Sequence, residues 1–236
     1  KKYSKKFSFI KYVNKKSINK PSPGKKIIQA FNYGLKHSIN DYDLIGKFDG
    51  DIILPDNYLY TIMNDFIQNK KLGLCSGVIA NKKNNSWKVE NRYNNDHARG
   101  AIKLYSRKSF NKIGGLNETM GWDTLDEMKI LYNKFEIKIY NKIIVKQMRN
   151  TASRYKKNQY KKQGRVMYLL RYNLILLLIG SIKLAITSKS IISFCHCIIG
   201  YVNSWINKEK YIVNSEIGKF IRNHRYNNIL KKITNV

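Results

Sequence analysis

Carboxylates are the scarce class in this sequence: 15 Asp and Glu stand against 45 Lys and Arg, leaving a formal net charge of +30 over 236 residues. Where so few acids gather is therefore informative, and twelve of the 15 fall between Asp41 and Glu127, in clusters at Asp41–Asp56 and Glu118–Glu127. Cysteine is also sparse. Cys75, Cys195 and Cys197 are too few for a disulfide framework and point to a reducing compartment. No apolar run reaches the roughly 20 residues of a membrane-spanning helix. The basic, polar start lacks a signal-peptide pattern. No Arg-rich helix, zinc-finger spacing or aromatic RNA-binding signature accompanies the positive charge, and there is no internal repeat. The chain opens at Lys1 without an initiator Met, which reads as a fragment or processed product.

What is present suffices for a real core. Hydrophobic residues make up 43% of the chain and aromatics 12%, too much for a largely disordered polymer. The positive balance has two readings: attraction to a polyanion, with an anionic membrane favoured over nucleic acid, or drift in a sequence rich in Lys, Asn, Ile and Tyr.

Along the chain, 7–13 reads as a short mixed strand, followed by a loop with Pro21, Pro23 and Gly24. Residues 25–36 carry Ile27, Ile28, Phe31 and Leu35 on one helical face. A strand through Leu44, Ile45 and Phe48 runs into Asp49-Gly50-Asp51, and Pro55 opens a helix bearing Leu59, Ile62, Met63, Phe66 and Ile67. Residues 72–80 form a continuous apolar strand, 81–96 a long polar loop broken by Trp87 and Val89, and 101–105 a further strand. A short helix over 107–113 ends at Gly114-Gly115. The second acidic cluster opens a helix running to Tyr132, where the helix dipole alone favours carboxylates. Strands at 135–140 and 143–148 close this region. Strands alternating with helices indicate an α/β layered architecture.

Beyond Arg154 acids nearly vanish. Two apolar stretches, 174–186 and 191–206, follow a basic flank containing Lys161, Lys162, Arg165 and Arg171; the readings are helices lying in an anionic membrane interface or core packing. Cys195-His196-Cys197 is too tightly spaced to wrap one tetrahedral ion and reads as packing. A last helix is expected around 216–225.

Asp49 and Asp51 carry the most chemistry. At the carboxyl end of a buried strand they lie where open α/β sheets bind ligands, and on an extended segment i and i+2 point the same way, toward one hard cation or one sugar hydroxyl. A solvated acidic turn is the plainer reading.

The ordered series Gly24-Lys25-Lys26, Ala30-Phe31-Asn32-Tyr33-Gly34, Lys47-Phe48-Asp49-Gly50-Asp51, Leu72-Gly73-Leu74, Arg99-Gly100-Ala101, Gly114-Gly115-Leu116 and Gly121-Trp122-Asp123 resembles the inverting glycosyltransferases of family 2. The likeness spans about Lys25 to Ser153. It implies a GT-A-like (Rossmann-like) mixed sheet flanked by helices over 1–153, followed by a carboxyl-terminal helical region over 154–236. By resemblance, Asp51 ligates a Mg²⁺ or Mn²⁺ on the donor diphosphate, Asp49 contacts the nucleotide-sugar and the metal, and Asp123 is the catalytic base, with Asp126 taking that role if the helix carries one inserted residue. Lys25, Lys26, Arg99, Gly114 and Gly115 fall at positions matching nucleotide-sugar or acceptor contacts.

The activity implied is metal-dependent sugar transfer from a nucleotide donor to a saccharide or lipid-linked acceptor in cell-surface polysaccharide synthesis. The implied location is cytoplasmic, peripheral to the membrane's cytoplasmic face. The sequence departs from the family in two places. The base-binding strand, turn and Asp that members carry ahead of the region matching 7–13 are missing, and Gln147-Met148-Arg149 stands where many members place a His. Gln163-Gly164-Arg165 resembles a later phosphate-binding motif. The competing readings are a non-catalytic binding relative and a basic membrane or nucleic-acid binder.

Overall fold

The computed structural model describes residues 1–16, 22, 24–84, 86–89, 97–149 and 156–234. The chain divides into two compact units, 1–146 and 147–236. The expected boundary at 153/154 falls within 150–155, outside the described residues.

The first unit has a mixed α/β fold. In order it contains α1 (Lys2–Lys6), α2 (Lys25–Leu35), β1 (Leu44–Phe48), β2 (Ile52–Ile53), α3 (Tyr58–Gln68), β3 (Leu72–Lys83), β4 (Ser86–Val89), β5 (Ile102–Ser106), α4 (Arg107–Lys112), α5 (Trp122–Tyr132) and β6 (Glu136–Gln147), whose last residue belongs to the second unit. The six strands form one sheet in the order β1-β5-β3-β6-β2, with β4 paired to β3. β5 lies antiparallel to both β1 and β3.

Two clusters of buried side chains occupy the faces of this sheet. Ile28 from α2, Phe110 from α4 and Trp122 and Ile130 from α5 pack with Ile45, Leu74 and Tyr105. Tyr58, Ile62 and Phe66 from α3 pack with Leu72, Cys75, Ile102 and Leu104. The period of 2 along β5 produces this division: Ile102 and Leu104 go to the α3 side, and Lys103 and Tyr105 to the other.

Several local expectations are corrected. Residues 7–13 form no strand; after α1 the chain makes an Ile10-to-Phe7 turn and leaves Phe9 81% exposed, since an isolated segment gains nothing from an extended conformation without a neighbour to pair with. The expected loop at 81–96 begins instead as a hairpin, in which β4 pairs back on β3 from Ala80↔Val89 to Lys83↔Ser86; residues 90–96 lie outside the described set. The two closing strands are one, β6, because Asn141-Lys142 supplies neither Gly nor Pro to break it. On α3 the buried row is Tyr58, Ile62 and Phe66, while Leu59, Met63 and Ile67 are exposed. Apolar pairs at 58/59, 62/63 and 66/67 leave the facing edge undecided until the sheet selects it.

The second unit consists of α6 (Lys156–Leu169), α7 (Leu174–Ser188), α8 (Ile191–Ile206) and α9 (Ser215–Thr234), the last extending well past the expected end at 225. α6 and α8 approach closely at two glycines. A Cβ on Gly164 would lie 1.8 Å from the carbonyl oxygen of Cys197, and one on Gly200 would lie 1.9 Å from that of Lys161. Ser193, Cys197 and Ser204 extend this small, buried face of α8. Cys195 is exposed and Cys197 buried, so the Cys-His-Cys triplet offers no shared ligand direction.

Candidate functional site

The site grows from one cross-strand pair. Lys47 on β1 stands opposite Lys103 on β5, and both ammonium groups lie over the ring of Trp122, the first residue of α5, at 5.3 and 5.4 Å from its centroid. Both lysines are buried, at 3% and 0% exposure. A buried ammonium requires counter-charge, and each finds it. Lys47 donates to Asp49, directly after β1. Lys103 donates to both oxygens of Asp126 at 2.8 and 3.0 Å, to Glu127 at 3.1 Å and to the backbone carbonyl of Asp123.

Helical spacing places the three acids where β5 needs them. Asp123, Asp126 and Glu127 stand at i, i+3 and i+4 and so share one face of α5. Asp126 also accepts from the Tyr105 hydroxyl. Glu127 accepts from the Ala98 amide and pairs with His97 Nδ1, each at 2.8 Å. The opposite ring nitrogen of His97 lies 3.6 Å from Asp123 Oδ2. That separation exceeds a normal hydrogen bond, and among the described residues the half-exposed Asp123 carboxylate keeps open acceptor positions.

Burial and charge separate the titrations. Burial opposes the charge on His97, yet Asp123 and Glu127 outweigh it and raise the imidazole from 6.5 to about 9. Burial alone would raise Asp123, but His97 and Lys103 hold it down at about 2. Asp126 moves upward because burial and Glu127 together exceed the relief that Lys103 provides. The Lys103 ammonium is penalised by burial and held charged by Asp126, Glu127 and Asp123.

Asp49, Asp123 and the start of α2 converge on this region. The Asp49 amide donates to Ala101 at 3.0 Å. The adjacent Gly100 leaves no room for a side chain: its Cβ would lie 2.7 Å from the Trp122 ring and 3.3 Å from Asp123 Cβ. The carboxyl end of β1 therefore meets the amino end of α5 across the 99–101 turn. Gly24, at φ +77°, abuts Thr119 and Met120, which brings Lys25 and Lys26 at the start of α2 toward the approach to α5. Lys25 is exposed and Lys26 half-buried. Arg99 is exposed, its carbonyl accepting from the Ile102 amide.

Other expected residues sit differently. Asp51 is half-buried in a turn with Gly50 between β1 and β2, so the shared direction expected of an extended Asp49–Asp51 pair does not apply. Asp126 is 3% exposed and fully engaged, whereas Asp123 is accessible. Gly114 and Gly115, at φ +73° and +71°, form the left-handed turn after α4. They line a cleft of about 700 Å³ with Gln29, Asn32 and Glu118, and neither Asp49 nor Asp123 borders it. In the second unit, Arg165 is held by Glu209 at 2.8 Å and Gly164 is a helix contact, so packing occupies the motif that resembled a phosphate binder.

Sequence reasoning quoted Lys47 within a motif and Glu127 within the second acidic cluster without giving either a role, and it named neither Lys103 nor His97. The signal for Lys103 was a lysine inside a strand apolar on both faces, opposite a helix carrying three acids. His97 had no comparable signal, since it reaches Glu127 and Asp123 only through the fold.

Among the described residues no group of three or more His, Cys, Asp or Glu side chains surrounds a common point that could hold a metal ion. The carboxylates of Asp49 and Asp51 are nevertheless hard oxygen donors of the kind Mg²⁺ or Mn²⁺ accepts, and Mg²⁺ commonly takes one or two protein carboxylates and completes its shell from substrate phosphates and water.

No family model matches the sequence, and no curated protein matches it. Among solved structures, the chain is similar to the mannosyltransferase PcManGT from Pyrobaculum calidifontis in complex with GDP-Man and Mn²⁺, at 10% identity and a TM-score of 0.42, covering 85% of this chain and 59% of that one. A likeness that loose carries no functional inference.

Proposed function

We propose that the first unit is the sugar-transferring part of an inverting, metal-dependent glycosyltransferase acting on a nucleotide-diphosphate sugar. The observation that carries the proposal is the convergence of the Asp49 end of β1 with the Asp123 start of α5, two segments 74 positions apart in sequence, joined through Gly100, Trp122 and the Lys47–Asp49 pair. Two of the ordered motifs of the resemblance, Lys47-Phe48-Asp49-Gly50-Asp51 and Gly121-Trp122-Asp123, fall on these two segments, and Arg99-Gly100-Ala101 forms the turn between them.

Asp51 would be the principal protein ligand of the divalent cation, with Asp49 contributing only the carboxylate oxygen that Lys47 does not engage, and as a Lewis acid the cation would offset charge developing on the departing nucleoside diphosphate. Asp123 is the base that accepts the proton of the attacking acceptor hydroxyl. A positioned base of this kind contributes about 10²–10⁴-fold. Asp126 and Glu127 hold Lys103 and His97, fixing the segment around Asp123 rather than touching substrate. Trp122 closes the inner wall and excludes water from beneath Asp123. Lys25 and Lys26 supply positive charge toward the nucleotide, and Arg99 lies on the exposed turn beside Gly100. The acceptor is a saccharide or lipid-linked saccharide of cell-surface polysaccharide, and the enzyme works in the cytoplasm at the membrane surface.

Calorimetric titration with UDP and GDP, with and without Mn²⁺, tests the reading directly. Metal-dependent binding that disappears in Asp51→Ala is expected, with Asp123→Asn retaining binding and losing about 10²–10⁴-fold in transfer rate. Undiminished transfer by Asp51→Ala would overturn the assignment.

A further inference from the structure

The second unit exposes an amount of apolar side chain that a water-facing surface does not explain. On α7, Leu174, Ile175, Leu178, Ile179, Ile182 and Ile186 are 37–72% exposed. At 100° per residue these six fall within one arc of about 140°, with Lys183 at its border. On α8, Ile191, Ile192, Ile199 and Ile206 are 41–70% exposed, and the exposed Cys195 shares their arc. This arc lies opposite the small-residue face that α8 packs against α6. Trp205, at the end of α8, is 63% exposed.

Neither helix can cross a bilayer. At 15 and 16 residues they reach roughly 22 and 24 Å, short of a hydrocarbon core of about 30 Å, and no described helix is long and apolar enough to span one. Helices this short with a continuous apolar face lie in the plane of the interface, their apolar side chains sunk to the level of the acyl chains.

We infer that α7 and α8 form an in-plane docking surface for an anionic lipid bilayer. Charge complementarity selects this occupant over a second copy of the chain. Glu209 and Glu216 are the only acids in 147–236, and Arg165 already holds Glu209. Lys183 borders the α7 arc, Lys189 follows α7, and Lys208 and Lys210 follow α8; all four are exposed, and the second unit sets only two acids against its basic side chains. Two such surfaces would repel each other on contact, whereas phosphate headgroups neutralise them. Trp205 occupies the place at a helix end where indole rings favour the headgroup level. The inference rests on the second unit alone and does not depend on the sugar-transfer reading.

Co-sedimentation of the full chain with vesicles of phosphatidylcholine alone, and of phosphatidylcholine mixed with phosphatidylglycerol, provides the test. Binding is expected to be strong to the mixed vesicles and weak to the neutral ones. Ile182→Glu and Ile186→Glu alter exposed positions, so folding should be retained and checked by thermal melting. Each should weaken binding by roughly tenfold or more. Brominated lipid should quench tryptophan emission in the wild-type chain, and Trp205→Phe should remove most of that quenching. Undiminished binding by the Glu variants would overturn the inference by assigning attachment to the lysines alone. Failure to bind vesicles, with a concentration-dependent dimer that the same variants dissolve, would overturn it in favour of a second copy.

Discussion

At the scale of single residues, the first unit is organised by charges that cannot reach water. Lys103 has no exposed surface, and its three carboxylate contacts come from two consecutive residues of α5. Removing one member of such a buried set strands the others. Lys103→Met would leave the buried Asp126 without its cation and Glu127 with His97 alone, and we expect a loss of about 3–5 kcal/mol in chemical denaturation. A change below about 1 kcal/mol would show that the network is not needed for stability. His97 provides a pH signature. Its folded-state value of about 9 lies above the ordinary 6.5, so its stabilising contribution is complete below pH 6.5 and is lost as pH rises through 9. Asp123 behaves oppositely: depressed to about 2 from 3.8, its contribution is complete above 3.8 and lost only as pH falls through 2. Thermal midpoints should decline between pH 6.5 and 9 in the wild-type protein, and His97→Gln should flatten that decline while costing about 1–3 kcal/mol at pH 6.5. An unchanged slope in the variant would separate His97 from the effect.

At the scale of elements, glycine sets how closely neighbours approach. Gly200 on α8 presents two opposing expectations when changed to alanine. Intrinsic propensity favours Ala in a helix by about 1 kcal/mol. The added Cβ, however, would sit 1.9 Å from the Lys161 carbonyl oxygen, which is backbone and cannot rotate away. The steric term wins, and Gly200→Ala should lower the thermal midpoint because α6 and α8 must separate; a raised midpoint would contradict this packing. The same logic governs Gly100, where a side chain would push Trp122 and Asp123 away from β5. Element types were largely legible in the sequence, because α2 and α3 carry apolar residues at helical spacing, α7 and α8 are long apolar stretches, α5 opens on acids that its dipole favours, and residues 72–80 of β3 form an apolar run. Element edges were less so. α3 shows why: adjacent apolar pairs supply two candidate faces, and only the sheet beneath decides which is buried.

At the scale of the whole molecule, composition and order were readable from the chain alone. The clustering of acids into Asp41–Asp56 and Glu118–Glu127 marked the two segments that meet, and the loss of acids beyond Arg154 marked a second region of different character. The α/β layering followed from alternating strand and helix patterns. Each of these properties is local, written in hydrophobic period and residue type over windows of ten or twenty positions. The partners of the buried charges were decided only by tertiary structure. The pairing of Lys47 with Lys103 depends on the register of β1 against β5, and the division of labour between the accessible Asp123 and the engaged Asp126 depends on how α5 is rotated over β5. Register and rotation are fixed by the sum of many long-range contacts, and a shift of one residue exchanges the faces of a strand. Sequence therefore named the acids of the candidate site, and the fold determined which of them remains open to solvent.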